Sequence, residues 1–166
     1  LTKDPTVYRY ASPELWASAK QETLKVIEDH VVDSDRDYRE LFSRRRTWID
    51  RRLAALYDVQ APPGGEPGWV DLPADGPRSG ILGHASVLGL YAHPVSSSAT
   101  RRGAFMRRAL LCHFIPPPPA DVDTSIPEPV GAPTRRERLQ VHQEDPSCSG
   151  CHIPLDNVGL ALEQFD

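Results

Sequence analysis

The sequence predicts a mostly α-helical protein with long Pro-rich connections and little strand. Apolar residues recur at helical spacing in several segments, and a Ser or Thr suited to an N-cap precedes most of them. The 17 prolines among 166 residues are about twice the usual share, so long stretches must be looped or extended. The chain is long enough to bury a core of its own.

The first third of the chain is predicted to hold three helical stretches. Ser12 is a suitable cap for a helix over residues 13–32, which carries an approximate apolar stripe. A shorter helical stretch covers residues 34–42. Residues 44–57 place apolar side chains at helical spacing against an Arg-rich face that we expect to be solvated or ion-paired. Residues 58–68, rich in Pro and Gly, predict a loop.

The middle of the chain alternates short elements with loops. The apolar run 69–72 predicts a strand, and residues 81–92 predict a helix. Thr100 is a suitable cap for a helix that runs to about Phe114. The prolines at 116–119 end that helix and favour a polyproline segment, and residues 120–133 are expected to be irregular.

The last third is predicted to hold one more capped helix. Thr134 and Glu137 form a capping-box signature for a helix over residues 135–143. Residues 154–156 predict a turn, and an apolar segment follows it. Cys112 stands in an apolar strip and is predicted to be a small buried residue.

The sequence Cys148-Ser149-Gly150-Cys151-His152 has the spacing that covalent attachment of a c-type haem requires. Residues three apart in a helical turn face one side, so both sulfurs can reach the vinyl groups of one porphyrin while His152 serves as the proximal iron ligand. Given the numbers of Cys and His in this chain, the pattern would arise by chance with a probability of roughly 0.002. The motif therefore predicts one haem c bound through Cys148 and Cys151.

Two other kinds of site stay open for these residues. A tetrahedral zinc site would join Cys148, Cys151 and His152 to Cys112 or His142, although adjacent Cys and His side chains rarely turn to one small ion. A redox dithiol of the thioredoxin kind would need an apolar strand before the Cys pair. The ten residues before Cys148 are mostly polar, which disfavours the dithiol.

The occupant of the sixth iron position decides what a bound haem can do. His142 is the first candidate distal ligand, because its helix leads directly into the motif, and Met106, the only methionine, is the second. His142 could instead bond a haem propionate and Met106 could simply pack in the core. The remaining options are His84, His93, His113 or an open position. A second protein ligand suits electron transfer, whereas an open position permits peroxide or oxygen chemistry.

Further residues around the motif extend it into a longer pattern. They are His142, Asp145-Pro146, Leu155-Asp156, Gly159, Ala161-Leu162-Glu163 and Phe165-Asp166. This run resembles the C-terminal haem-attachment region of the planctomycete-type cytochrome c-like family, large exported proteins built from domains of unknown function. Upstream, Arg78, the run Gly80-Ile81-Leu82 and Arg102-Gly103 are similar to preceding parts of the same family. Leu155 stands where many members carry Met, and it cannot bind iron.

The resemblance covers the chain from about Leu41 onward. It implies a cytochrome c-like helical domain and an exported haem protein of which this chain is a portion, with a periplasmic or extracellular location. It implies no settled reaction. We expect residues 1–62 to be an N-terminal helical segment and residues 63–166 to be the haem c-binding region, either as separate parts or as one continuous domain.

Charge and hydropathy narrow the range of partners. The net charge of −4 argues against a general nucleic-acid binder, which would need a basic surface. The sequence holds no apolar run long enough to span a membrane. The expected partner is a redox protein or a larger multi-subunit complex, within which the domain transfers electrons. The alternatives are a catalytic haem enzyme of the peroxidase or oxygenase type, a haem with a structural role, and a structural zinc domain.

Overall fold

A computed structural model describes residues 2–117, 131 and 134–165. As predicted, they form a mostly helical protein with one small sheet. The regular elements are α1 (Pro13–Ile27), β1 (Arg46–Ile49), α2 (Arg51–Tyr57), β2 (Gly68–Asp71), α3 (Ala85–Leu90), α4 (Ala99–Phe105), α5 (Arg135–Glu144) and α6 (Pro146–Gly159). Short 3₁₀ segments lie at Tyr38–Phe42, Ile81–Gly83 and Leu160–Phe165, and π-helical segments at Glu28–Asp33 and Met106–Leu110. Within these described ranges, no helix is both long and apolar enough to cross a bilayer.

The chain divides into two compact units, Leu1–Val95 and Ser96–Asp166, which we call the N-terminal unit and the C-terminal unit. The N-terminal unit holds α1 to α3 and the sheet, and the C-terminal unit holds α4 to α6. The boundary predicted between residues 62 and 63 falls inside the N-terminal unit, and that division of the sequence stays a prediction.

The N-terminal unit is built around α1. The Ser12 hydroxyl accepts a hydrogen bond from the Leu15 amide at 3.2 Å, and Pro13 occupies the first turn, so the predicted start of this helix is confirmed. The helix packs its apolar face on β1, α2 and α3. The buried core residues are Leu15, Ala19, Ile49, Leu53, Ala54 and Ala85.

The helix predicted over residues 44–57 is wrong in its first half. Arg46–Ile49 forms β1, which pairs antiparallel with β2 so that Trp48 lies opposite Trp69. β-Branched and aromatic residues favour this extended pairing, and their side chains alternate between a buried face and an outer face. The helix starts only after Asp50, whose carboxylate accepts the amides of Arg52 and Leu53 at 3.0 Å. The predicted strand at 69–72 is confirmed as β2.

In the C-terminal unit, α4 and α6 pack with their backbones in direct contact. A Cβ atom added at Gly103 of α4 would lie 1.9 Å from the Leu155 carbonyl oxygen, and one added at Gly159 of α6 would lie 1.8 Å from the Ala99 carbonyl oxygen. Only glycine permits such an approach. Ala99, Leu139 and Leu160 form the small core of this unit.

Several boundaries differ from the prediction. Ser98, not Thr100, caps α4, and regular helix gives way to the π-helical segment that ends at Leu110. Cys112 is exposed rather than buried, and its φ of 54° marks the left-handed turn that follows this segment. The turn predicted at residues 154–156 is wrong, because α6 continues through Pro154 to Gly159.

The remaining predictions for the C-terminal unit are either confirmed or fall largely outside the described residues. The capping box of Thr134 and Glu137 is confirmed, and α5 begins at Arg135 as expected. Of the predicted polyproline segment, residues 118 and 119 lie outside the described residues. The irregular stretch predicted over residues 120–133 is likewise outside them except for Gly131.

Candidate functional site

Helix α6 carries both cysteines of the sequence motif. Asp145 caps this helix, accepting the Ser147 amide at 2.8 Å, and Pro146 occupies its first position. Cys148 and Cys151 therefore lie one turn apart on the same side of a regular helix. Both are free thiols; Cys148 is half-buried and Cys151 is exposed. Two accessible thiols on one helical face meet the steric requirement for bonds to a single large group.

His152 follows Cys151 in α6, and a buried carboxylate holds its ring. Its Nδ1 lies 2.9 Å from Oδ2 of Asp156, four residues later in α6. The other oxygen of Asp156 accepts the Thr100 hydroxyl of α4 at 2.6 Å. Asp156 is completely buried, whereas the His152 side chain is 21% exposed. An ionised carboxylate accepts a hydrogen bond at Nδ1, an arrangement that leaves the lone pair on Nε2.

The crossing of α4 and α6 fixes this chain of hydrogen bonds. The two glycine contacts, at Gly103 and Gly159, lie on either side of the bond between Thr100 and Asp156. Further along the same crossing, Arg107 donates to the Pro154 carbonyl at 3.2 Å. The carboxylate is thus placed by two packed backbones rather than by a mobile side chain.

His142 of α5 lies directly beside His152. The two ring centroids are 4.8 Å apart, with an angle of 39° between the planes. His142 is buried, and its Nε2 has no hydrogen-bond partner among the described residues. Burial, reinforced by the neighbouring His152, lowers the pKa of His142, and the carboxylates of Asp156 and Asp145 offset only part of that effect. The ring is therefore held in the neutral form that can bind a metal or accept a hydrogen bond.

The separation of these rings bears on the distal-ligand prediction for His142. Two imidazoles that bind one metal ion from opposite sides, each at about 2 Å, keep their ring centroids roughly 6 Å apart. The observed 4.8 Å leaves no such space between His142 and His152. Distal ligation by His142 would thus require α5 and α6 to separate, and it stays a prediction.

The other candidate ligands lie on other elements. Met106, the second choice, is half-buried in the π-helical segment after α4. His113 is exposed beyond that segment. His84 and His93 belong to the N-terminal unit. His142 is the candidate whose ring contact with His152 the structure shows, and the choice of distal ligand stays a prediction.

The donor set is compatible with a covalently held haem. Cys148, Cys151 and His152 present two thiols and one imidazole nitrogen from consecutive turns of a single helix, and a neighbouring buried imidazole has an unpartnered nitrogen. Across residues 2–117, 131 and 134–165, no three His, Cys, Asp or Glu side chains come together in a way that could hold a metal ion. The cluster proposed for zinc, with Cys112 or His142 as the fourth ligand, is thus not assembled there.

A second buried polar cluster lies in the N-terminal unit, around Glu22. Its carboxylate accepts the hydroxyls of Thr47 and Tyr57, each at 2.6 Å, and lies 3.9 Å from His84 Nε2. Burial raises the pKa of Glu22 to about 7 and lowers the pKa of His84 to about 3. His84 is 4% exposed and its Nδ1 is bonded to Thr23 at 2.9 Å. Its surroundings are closed, which is typical of a structural network.

Asp156 and Thr100 were not among the residues singled out for the site from the sequence. The spacing of four between His152 and Asp156 was a usable signal, because such pairs face each other on a helix. The turn predicted at residues 154–156 obscured it. The bond from Thr100 depends on the packing of two helices and has no local sequence signal.

Two family models match the chain. PSCyt3, a protein of unknown function (DUF1588), matches residues 78–166, and PSD4, a protein of unknown function (DUF1592), matches residues 1–59. The first match covers more than half of the chain and includes the thiols, both neighbouring histidines and Asp156. No curated protein and no solved structure matches the chain.

Proposed function

Because the chain belongs to the DUF1588 (PSCyt3) family, we propose that it is a c-type cytochrome domain with one covalently attached haem, which transfers electrons within a larger exported oxidoreductase complex. One observation carries the proposal: two free thiols and a carboxylate-bound imidazole follow one another on the same helix. The family model's name gives coarse support for a cytochrome-like role.

The thiols of Cys148 and Cys151 are the points of attachment. Each thiol would add across one vinyl group of the porphyrin, the sulfur forming a C–S bond and the thiol hydrogen passing to the other vinyl carbon. This addition needs both cysteines reduced and within reach, and both are free on one face of α6. Ser149 and Gly150 add little bulk between them; a Cβ at Gly150 would meet no atom within 4 Å.

His152 is the proposed proximal ligand through Nε2. Haem bound in this way supplies a reversible one-electron Fe(III)/Fe(II) couple. The hydrogen bond from Nδ1 to Asp156 holds the ring in one tautomer and one orientation. Neither the tautomer nor the orientation of the His152 ring depends on a mobile loop. A preoriented ligand suits an electron carrier, whose iron site should change little in geometry between the two oxidation states.

The proposed location rests on the family resemblance, and the proposed partner is supported also by the surface of the C-terminal unit. Exported haem proteins of this type work in the periplasm or outside the cell, and we propose the same location and a redox protein or multi-subunit complex as partner. Large apolar side chains are exposed around the elements that flank the motif. They are Leu110, Leu111, Phe114, Val141 and Ile153. Exposed apolar surface of this kind is expected where a large apolar group or a partner binds.

Visible spectroscopy of the chain, expressed with a c-type haem maturation system, tests the proposal. Wild-type protein should keep its haem spectrum after denaturation and acid-acetone extraction, because thioether bonds survive both. The double variant Cys148→Ala, Cys151→Ala should lose the colour on extraction. The single variant Cys112→Ala is the matched control and should behave like wild type. A colourless wild-type protein after extraction would refute covalent attachment.

A second candidate function is a catalytic haem enzyme of the peroxidase or oxygenase type. It is favoured by the buried carboxylate on His152, because an anionic partner raises the basicity of an axial ligand, and electron-rich ligands favour O–O cleavage. Added carbon monoxide and cyanide separate the two functions. A spectrum that does not respond to either indicates a filled sixth position and supports electron transfer, whereas a shifted spectrum supports the enzyme.

A further inference from the structure

We infer that Asp156 is a positioning residue that fixes which nitrogen of His152 is offered to iron and, as a buried anion, lowers the reduction potential of the haem bound there. The inference deepens the proposed function and rests on it for the haem. Its first half concerns the protein alone and can be tested without haem.

The choice of nitrogen follows from hydrogen-bond chemistry. An ionised carboxylate can only accept, so Nδ1 of His152 must donate across the 2.9 Å contact to Asp156. A neutral imidazole carries a single N–H, and Nε2 is left as the lone-pair nitrogen. With no acceptor at Nδ1, the two tautomers of His152 would compete, and a fraction of the molecules would present the wrong nitrogen.

The position of Asp156 is set by the fold. Its Oδ1 accepts from Thr100 at 2.6 Å, and this bond ties the carboxylate on α6 to α4. The close contacts of Gly103 with Leu155 and of Gly159 with Ala99 hold the helices at a fixed distance on both sides of the bond. Asp156 therefore cannot swing away from His152 without opening the helix crossing.

The carboxylate of Asp156 is completely buried. In the part of the chain that the structure describes, its side-chain partners are the Thr100 hydroxyl and the His152 ring, neither of which is a fixed cation. A hydrogen bond from a ring N–H to a buried anion is charge-assisted and draws the proton toward the acceptor. The imidazole becomes more electron-rich than it would be opposite a neutral carbonyl.

An electron-rich axial ligand stabilises Fe(III) more than Fe(II). We expect the charge of Asp156 to move the Fe(III)/Fe(II) equilibrium about tenfold toward Fe(III), which corresponds to about 59 mV for a one-electron couple. Replacing the carboxylate of Asp156 by the neutral amide of Asn should raise the midpoint potential by the same amount.

The experiment combines two readouts on the full chain. The tautomer of His152 is read from the imidazole nitrogen chemical shifts of haem-free, nitrogen-15-labelled protein, and the midpoint potential is read by spectroelectrochemical titration of haem-loaded protein. Wild type should show the proton on Nδ1. Asp156→Asn should raise the potential by about 59 mV, the equivalent of a tenfold change. Thr100→Val removes the donor to Oδ1 while the contacts of Gly103 and Gly159 still hold the helices together, so the carboxylate interacts with His152 alone and the potential should shift in the opposite direction.

The matched control is Asp145→Asn, which removes an exposed carboxylate at the cap of the same helix, where Asn caps equally well. Because an exposed charge is screened, the Fe(III)/Fe(II) equilibrium of the Asp145→Asn protein should stay within about twofold of that of wild type. A neutral wild-type His152 ring whose single proton lies on Nε2 overturns the inference. So does an Asp156→Asn protein whose potential matches that of wild type.

Two further outcomes remain decisive. Where Asp156→Asn fails to fold or to take up haem, Thr100→Val decides: a lowered potential supports the inference, and an equal or raised one overturns it. Where wild type takes up no haem, the proposed function fails, and the tautomer in the haem-free chain still decides the role of Asp156.

Discussion

Both units of the chain bury a carboxylate completely, and the two carboxylates have similar partners but differ in how they contact a histidine. Glu22 in the N-terminal unit and Asp156 in the C-terminal unit each accept a threonine hydroxyl at 2.6 Å and lie near a histidine. His84 is almost fully buried, 3.9 Å from Glu22, whereas His152 is bonded to Asp156 at 2.9 Å and keeps a partly exposed edge. Burial of the histidine, rather than residue type, distinguishes the closed network around Glu22 from the proposed ligand site at His152.

Burial also shifts the pKa values of Glu22 and its neighbour His84. The pKa of Glu22 is raised to about 7 by burial and that of His84 is lowered to about 3, so the two side chains are never charged together in the folded unit. Their proximity is therefore not an ion pair. Tyr57 and Thr47 supply donors that satisfy Glu22 from within. In the cluster around Asp156, the His152 side chain instead remains 21% exposed.

The largest expected effect comes from breaking the helix crossing that places Asp156. Gly103→Ala would put a Cβ 1.9 Å from the Leu155 carbonyl oxygen, so α4 and α6 must separate, and we expect a loss of about 3 kcal/mol or more in the free energy of unfolding. Denaturant unfolding followed by circular dichroism measures it.

Gly150→Ala is the matched control, because it lies in α6 and its Cβ would meet nothing within 4 Å. It should be neutral or slightly stabilising, as expected for Gly to Ala in an exposed helix. Equal stabilities of the two variants would contradict the close contact of α4 and α6.

The next effect is the pH dependence contributed by Glu22. Its pKa rises from an ordinary 4.5 to about 7 on folding, so its contribution to stability is complete below pH 4.5 and is lost as the pH rises through about 7. Relative to Glu22→Gln, the free energy of unfolding of wild type should fall by about 3 kcal/mol over that range. Tryptophan fluorescence reads it, because all three Trp residues lie in the N-terminal unit.

The comparison with Glu22→Gln removes the contribution of the other carboxylates to the pH dependence of stability, because that contribution is the same in both proteins. A stability difference that stays constant from acid to alkaline pH would contradict the raised pKa of the buried Glu22 carboxyl. A difference that grows in favour of wild type with rising pH would mean that the carboxylate is stabilised as an anion.

The smallest effect tests the hydroxyl partner of Glu22. Thr47→Val keeps the shape but removes the donor, and we expect a loss of about 1–2 kcal/mol, larger above pH 7 where the carboxylate is ionised. Thr6→Val removes a hydroxyl that is also 2.6 Å from a carboxylate, that of Asp4, but in an exposed position. This control should change stability by less than about 0.5 kcal/mol. Equal effects would show that burial does not strengthen the bond to Glu22.

Local signals in the sequence predicted those parts of the fold that depend on local chemistry. Ser12 and Pro13 start α1, and Thr134 with Glu137 starts α5, because caps act within one turn. The segment before Asp50 was assigned to a helix because Trp48 and Ile49 fit a helical stripe. Pairing with β2, a contact between distant residues, overrides that local pattern.

The candidate site shows the same difference between local signals and tertiary contacts. The spacing of Cys148, Cys151 and His152 is local, and the structure places them on one helix. Asp156 was missed because Pro154 was interpreted as a turn, although the helix accommodates it. The bond from Thr100 depends on a tertiary contact between α4 and α6, which no local pattern encodes.

One measurement tests the central claim most directly: mass spectrometry of tryptic peptides from the haem-matured chain. No Lys or Arg follows Arg138 in the sequence, so Cys148 and Cys151 fall in the peptide that begins at Leu139, and Cys112 falls in a different peptide. We predict that the peptide beginning at Leu139 carries the mass of one haem and that the Cys112 peptide carries none. An unmodified peptide with both thiols free would contradict the assignment of this helix as a haem-attachment site.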